Sequence, residues 1–148
     1  MKDEDINVFA RNFLAVIAGV IAAVGAGAIL YPLVKIIFDE FFHLYLFSTP
    51  PSDVWKDDLI ILFTMIIWLF IASAAGGFIC TLISIDREQV YALISSLVCL
   101  TILYVIPQLR VFEPTDWQAW VLLITIPLGN SFGSWLGSKF KRKRRKAV

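Results

Sequence analysis

Four stretches of the chain are apolar almost throughout and carry no charged residue; they span residues 13–34, 59–85, 89–109 and 117–138. Each stretch reaches the roughly 20 residues that an α-helix, rising about 1.5 Å per residue, needs to cross a hydrocarbon layer about 30 Å thick. The pattern therefore predicts an all-α fold: a polytopic membrane protein in which four transmembrane helices form one compact bundle and one domain.

The polar and proline-containing breaks between these stretches give the predicted bounds of each element. We place the transmembrane helices at about 12–35, 58–84, 87–108 and 116–138, followed by a basic tail at 139–148. The connection at 36–57 is dense in aromatic residues. We expect it to continue the first helix outward and then to lie on the membrane surface, and an irregular aromatic anchor is the alternative.

The turn between the second and third stretches is short, which predicts a tight antiparallel hairpin of these two helices. Asp86 and Gln89 have the spacing of a helix N-terminal cap in which the third residue reaches back to the capping residue. At the opposite membrane surface, Trp117 and Trp120 suit the lipid headgroup region and mark the start of the fourth helix.

Small residues recur at every fourth position on the predicted helices, so they share one face of each helix. In lipid, helices associate through close backbone contact, which such small-residue faces permit. The glycines that we assign to helix packing in this glycine-zipper pattern are Gly19, Gly27, Gly76, Gly77, Gly129, Gly133 and Gly137. Packing within one chain uses most of these faces; an oligomer seam is the alternative, and the two can coexist.

The positive charges are segregated although the formal net charge is only +1. With the amino terminus in the cytoplasm, ten of the thirteen Lys and Arg residues lie on the inner side, which predicts that both termini are cytoplasmic. A basic tail directly after a membrane helix fixes topology and contacts anionic lipid headgroups, and we expect no nucleic-acid partner. The tail residues are Lys139, Lys141, Arg142, Lys143, Arg144, Arg145 and Lys146.

Composition points the same way. The chain has 148 residues, 59% hydrophobic and 17% charged, with a mean hydropathy of +0.78, which exceeds what a soluble globular fold usually carries. Its two cysteines, Cys80 and Cys99, lie inside predicted spans at different depths, so we expect buried free thiols and neither a disulfide nor a cysteine metal site.

Ionisable side chains are missing from the centre of every predicted span, which disfavours proton-coupled or ion-coupled transport. The best ionisable cluster lies outside the spans and includes Asp39 and His43, one helical turn apart. We weigh it as a polar site against a solvated helix end. No motif for nucleotide binding, zinc binding or a nucleophilic serine is present, so the sequence predicts no enzyme activity, cofactor or metal.

Two residues of the fourth predicted helix bear on shape and polarity. Pro127 removes a backbone hydrogen-bond donor and predicts a kink, either static or a hinge. Asn130 is the one carboxamide clearly within a span; an interhelical hydrogen bond is the simpler role for it, and a polar binding site is the alternative.

The segments AAGGFICTLIS, QVYALISSLVCL and PLGNSFGSWLGSKFKRKRR resemble parts of the small four-helix integral membrane proteins of bacteria, many of which have no assigned role. The resemblance covers the latter half of the chain and carries over no functional residue. It implies a plasma-membrane protein of the bacterial inner (cytoplasmic) membrane.

Two functions follow as expectations. The first is a non-catalytic accessory or assembly subunit with a membrane-protein partner, because intramembrane charge is missing and small-residue faces are abundant. The second is an oligomeric channel or transporter for a neutral or apolar solute, which Pro127, Asn130 and unused glycine faces would serve.

Overall fold

The computed structural model describes residues 3–41, 54–105 and 116–146 of the chain. These residues form four helices and no strand: α1 (Asp3–Phe41), α2 (Val54–Ile83), α3 (Glu88–Val105) and α4 (Asp116–Lys146). The predicted all-helical class with four helices is confirmed.

Three helices extend beyond the predicted spans. α2 begins at Val54, inside the connection predicted at 36–57. α1 begins at Asp3 and continues to Phe41, so it enters the aromatic segment as a helix; the rest of that segment up to residue 53 lies outside the described residues. α4 continues past Ser138 to Lys146, so the basic tail extends the helix, and it runs through Pro127 as one helical element. The charged ends are helical because neither carries a proline or glycine that would stop the helix.

Two of the described helices are long and apolar enough to cross a membrane. The qualifying segments are Ile6–Leu33 of α1 and Leu62–Ile83 of α2. The apolar part of α3, Glu88–Ile102, is shorter than that length. α4 is interrupted by glycine, serine and asparagine and ends in the basic run, which lowers its hydropathy.

The other three helices pack around α2, which contacts each of them. α1 lies against α2 in antiparallel orientation, with Gly19 opposite Gly76 and Gly27 opposite Ala72. α4 runs parallel to α2, because Gly129 meets Ser73 and Gly137 meets Thr81. α3 also approaches all three other helices, whereas the described backbones of α1 and α4 do not lie side by side.

Small and polar side chains predominate inside the bundle and large apolar side chains outside it, which is the reverse of the distribution in a soluble protein. The fully buried side chains are small or polar, among them Ala15, Cys80 and Ser134. Large apolar side chains point outward, with Phe9 66% and Phe63 65% exposed. Close approach of helix backbones therefore holds much of the interior together, beside a few buried large apolar side chains such as Met65 and Ile126.

Candidate functional site

Among the described residues, most side-chain hydrogen bonds between helices, and an ion pair, lie at one end of the bundle, at the turn between α2 and α3 (residues 84–87). The start of α1 and the end of α4 meet this turn from two sides and hydrogen-bond to it. We call the group the turn clamp; it consists of Arg11, Asn12, Asp86, Glu88, Ser138 and Lys141.

The α1 half of the turn clamp is built on Asn12, which is 1% exposed. Its Nδ2 donates to Oδ1 of Asp86 at 2.8 Å, and its Oδ1 accepts from the backbone N–H of Ile85 at 3.0 Å. Arg11 adds a hydrogen bond from Nε to the backbone oxygen of Ile83 at 3.1 Å. Asn12 therefore satisfies a backbone donor and a carboxylate of the turn, while Arg11 caps a carbonyl at the end of α2, which lacks an intrahelical donor.

The α4 half depends on Lys141. Its Nζ donates to the backbone oxygen of Ser84 at 2.6 Å and lies 3.4 Å from that of Thr81. The same ammonium forms an ion pair with Oε1 of Glu88 at 2.7 Å, and Ser138 Oγ donates to the other carboxylate oxygen at 2.5 Å. A cation at the carboxyl end of α2 and an anion in the first turn of α3 both complement the helix dipoles. The pair thus joins three helices.

The start of α3 differs from the predicted cap. α3 begins at Glu88, and the backbone N–H groups of Val90 and Tyr91 donate to the carbonyl oxygen of Arg87. Arg87 has a φ of 42°, a left-handed conformation that is uncommon for a residue with a side chain. The predicted pairing of Asp86 with Gln89 is corrected: Asp86 accepts from Asn12, because the tertiary contact with α1 engages its carboxylate.

The seven glycines assigned to helix packing all face another helix of the same chain. Between α1 and α2, a Cβ atom on Gly76 would lie 2.7 Å from the backbone oxygen of Gly19, and one on Gly19 would lie 2.9 Å from Cys80 Cβ and from Ser95 Oγ. Gly27 accepts a hydrogen bond at its backbone oxygen from Trp68 Nε1 at 2.9 Å. Any side chain at Gly19 or Gly76 would separate the two helices.

The contact between α2 and α4 is closer still. A Cβ atom on Gly77 would overlap the backbone of Asn130, and one on Gly133 would overlap the backbone of Ala74. A Cβ on Gly137 would lie 3.0 Å from Thr81 Cβ, and Thr81 Oγ1 donates to Ser134 Oγ at 2.8 Å. Backbone lies directly on backbone along this seam. Gly25 differs from these glycines, because nothing lies within 4 Å of its Cβ position.

Asn130 is fully buried, yet neither side-chain atom has a hydrogen-bond partner among the described residues. Ser95 Oγ is likewise buried without a partner. The interhelical hydrogen bond expected for Asn130 is formed instead by its neighbour Ser134 with Thr81. A buried carboxamide without partners is energetically unfavourable and indicates a polar position inside the bundle.

The remaining predicted site residues fall into two groups. Asp39 lies near the end of α1, and His43 lies outside the described residues, so their proximity stays a prediction. In the tail, Lys141 points into the turn clamp, whereas Lys139, Arg142 and Lys143 are exposed. The backbone of α4 includes the other basic residues, which are Arg144, Arg145 and Lys146.

Sequence reasoning missed Arg11, Asn12, Glu88 and Ser138. A signal for Asn12 was present, because Asn12, Ala15, Gly19 and Ala23 continue one small-residue face at helical spacing. No such signal marked Glu88, whose partners lie fifty or more residues away in the chain.

The described residues hold no group of three or more His, Cys, Asp and Glu side chains placed to bind a metal ion. Comparison with known protein families, with curated proteins and with solved structures finds no match to this chain. The geometry of the bundle therefore carries the functional proposal.

Proposed function

We propose that the protein is a multi-pass integral membrane protein that acts without catalysis, as an accessory or assembly subunit for another membrane protein. The observation that carries the membrane part is the reversed distribution of side chains. Small and polar residues are buried, while residues such as Phe9, Ile29 and Trp120 expose large apolar surfaces. Such an exterior is stable in hydrocarbon and unfavourable in water.

The burial of the two longest apolar segments supports the same proposal. A helix that is apolar all round is either the core of a large soluble protein or a membrane span. In the apolar stretches of α1 and α2 only 28% and 33% of residues are buried, so neither helix is surrounded as the core helix of a soluble protein would be.

The proposed orientation places the turn clamp in the cytoplasm. The start of α1, the α2–α3 turn and the end of α4 lie at one end of the bundle, and they bring Arg11, Arg87 and Lys141 to that end. Basic residues in short flanks are retained on the cytoplasmic side. Both termini are accordingly proposed to be cytoplasmic, in the inner membrane of a bacterium.

The polar side chains at the turn clamp are engaged by contacts within the chain, which favours a functional role for the outer surface of the bundle. Lys141 and Glu88 hold backbone and side-chain groups of the turn, and Asn12 does the same from α1. The α2–α4 seam is filled by contacting backbone, which leaves no path for a solute between these two helices. The apolar exterior is the surface that a membrane partner would contact.

The test is to isolate the tagged protein from native membranes in mild detergent and to measure the mass and composition of the intact complex. A stoichiometric second protein is the expected result. Isolation of the protein only as a monomer, when it is expressed at its native level, would contradict the accessory role. Release of the protein by alkaline carbonate would contradict membrane integration.

A second candidate function is an oligomeric channel or transporter for a neutral or apolar solute. The buried and unpartnered carboxamide of Asn130 favours it, because a polar solute inside the bundle would supply the missing hydrogen bonds. A pure homo-oligomer in the mass measurement would support this function. Vesicle flux of glycerol and urea should then fall in Asn130→Leu but not in the surface variant Ser131→Leu.

A further inference from the structure

The outward side of α4 changes from apolar to basic where the helix leaves the bundle. Its residues recur three or four positions apart and so share one side of the helix. We call this surface the α4 outer face; it consists of Phe132, Trp135, Lys139, Arg142 and Lys143, all of which are exposed.

The aromatic and basic parts of the α4 outer face are in direct contact. The rings of Phe132 and Trp135 stack with centroids 5.8 Å apart and planes 29° apart. The ammonium of Lys139 lies 3.7 Å from the centroid of a Trp135 ring, within the range of a cation–π interaction. This contact holds the lysine at the junction between the apolar surface and the helical tail.

The basic side chains of the tail lie on two opposite sides of α4. Lys141 points to the opposite side and is engaged by Glu88 and the end of α2. Lys139, Arg142 and Lys143 form no ion pair with a carboxylate among the described residues. Three cations that repel one another on one side of a helix thus adjoin an exposed aromatic surface, and an anion with an apolar tail would complement both parts.

We propose that the α4 outer face is a discrete binding site for one anionic phospholipid of the cytoplasmic leaflet. The acyl chain lies along Phe132 and Trp135, and the phosphate accepts hydrogen bonds from Lys139 and Arg142, with Lys143 adding positive charge. Arginine and lysine are the usual phosphate ligands in proteins. This inference rests on the membrane placement proposed above.

The order of residues along α4 favours a lipid over a nucleic acid. Single-stranded nucleic acids bind through bases stacked on open aromatic faces beside basic side chains. Here Lys139 covers one face of Trp135, and the aromatic residues lie on the bundle side of the cations. An apolar chain beside the bundle with a phosphate beyond it matches this order.

The experiment measures binding of phosphatidylglycerol and phosphatidylcholine to the full-length, delipidated protein in detergent by native mass spectrometry. The double variant Lys139→Gln/Arg142→Gln removes two exposed cations of the site. The matched control is Arg144→Gln/Arg145→Gln, which removes the same charge from the same helical tail. We expect affinity for phosphatidylglycerol to fall roughly 30-fold in the first variant, because direct charge-assisted hydrogen bonds to the phosphate are lost, and less than about threefold in the control.

Each other outcome overturns the inference in a recognisable way. Equal losses in the two double variants would mean diffuse attraction by the tail, and equal binding of the two lipids would mean no headgroup site. If a short oligonucleotide occupies the α4 outer face and phosphatidylglycerol does not displace it, the α4 outer face would be assigned to nucleic acid. Carbonate release from native membranes would refute the membrane proposal, whereas retention with no lipid preference would refute this inference alone. An unchanged SDS unfolding midpoint shows that both double variants remain folded.

Discussion

Single residues decide how closely α2 and α4 approach. Gly77 and Gly133 face backbone atoms of the opposite helix, so the seam exists only because these positions have no side chain. In lipid, where burial of apolar surface gives little net gain, such close contact is a principal source of stability. Gly25 provides the comparison, because its Cβ position is open.

We expect Gly133→Ala to lower the free energy of unfolding by about 1–3 kcal/mol, since the added methyl group overlaps the backbone of Ala74. Gly25→Ala should leave stability unchanged or raise it by up to about 1 kcal/mol, because alanine favours the helix. SDS titration of the protein in mild detergent measures both. Equal effects of the two substitutions would show that the α2–α4 seam is not as close as described.

Asn12 is a further single residue on which the packing depends, because its carboxamide joins α1 to both Ile85 and Asp86. Asn12→Ala should lower the free energy of unfolding by about 1–3 kcal/mol, because two polar groups of the turn lose their partner. The control is Asn7→Ala on the exposed side of α1, expected to change stability by less than about 0.5 kcal/mol. The same SDS titration applies, and a neutral Asn12→Ala would remove Asn12 from the turn clamp.

At the scale of elements, α4 is one helix with two uses for its basic end. One side of the tail carries Lys141 into the turn clamp, and the other carries the exposed Lys139 and Arg142. The sequence pattern predicts a basic run at the membrane surface, but it treats the seven cations alike. They differ because a helical tail distributes successive residues around its axis.

A double-mutant cycle on Lys141→Met and Glu88→Gln tests the inward side. We expect a coupling energy of about 1–2 kcal/mol, since the pair is partly buried, with side chains 19% and 24% exposed. A cycle on the exposed Lys143 with Glu88 should give less than about 0.5 kcal/mol. Similar couplings in the two cycles would mean that Glu88 responds only to the overall charge of the tail.

The elements themselves were predicted well in number and less well in extent. Apolar runs reveal the four helices because length and hydropathy are local properties of the chain. The extensions of α1 to Asp3, of α2 to Val54 and of α4 to Lys146 were not anticipated, because the predicted bounds follow hydropathy. Acidic residues are favoured at the start of a helix by its dipole, and the Lys and Arg residues of the tail have good helical propensity. Asp86 was misassigned as a cap because its partner, Asn12, lies on another helix.

At the scale of the whole molecule, the turn clamp places the start of α1, the α2–α3 turn and the end of α4 at the same end. The proposed orientation can be tested with single cysteines in a background where Cys80 and Cys99 are replaced by alanine. On intact cells, a membrane-impermeant maleimide should label Ser52→Cys, in the connection between α1 and α2, but not Arg142→Cys in the tail.

Permeabilised cells provide the control for this labelling, because both cysteines should then react. Labelling of Arg142→Cys alone in intact cells would invert the orientation. Labelling of both variants there would contradict the three membrane crossings, an odd number, that are proposed between the two positions.

The sequence by itself determined that the chain is helical, that it forms four helices, and that they carry small-residue faces, since each of these depends on residues close together in the chain. It also indicated which glycines pack. Only the tertiary structure decided which faces meet: among the described residues, α2 meets both α1 and α4, while the backbones of α1 and α4 do not lie side by side. All four helices offered similar small faces, so their periodicity alone could not select the pairs. The roles of Asn12, Glu88 and Lys141 were decided in the same way, because their partners are brought together from distant parts of the chain by the packing of the helices.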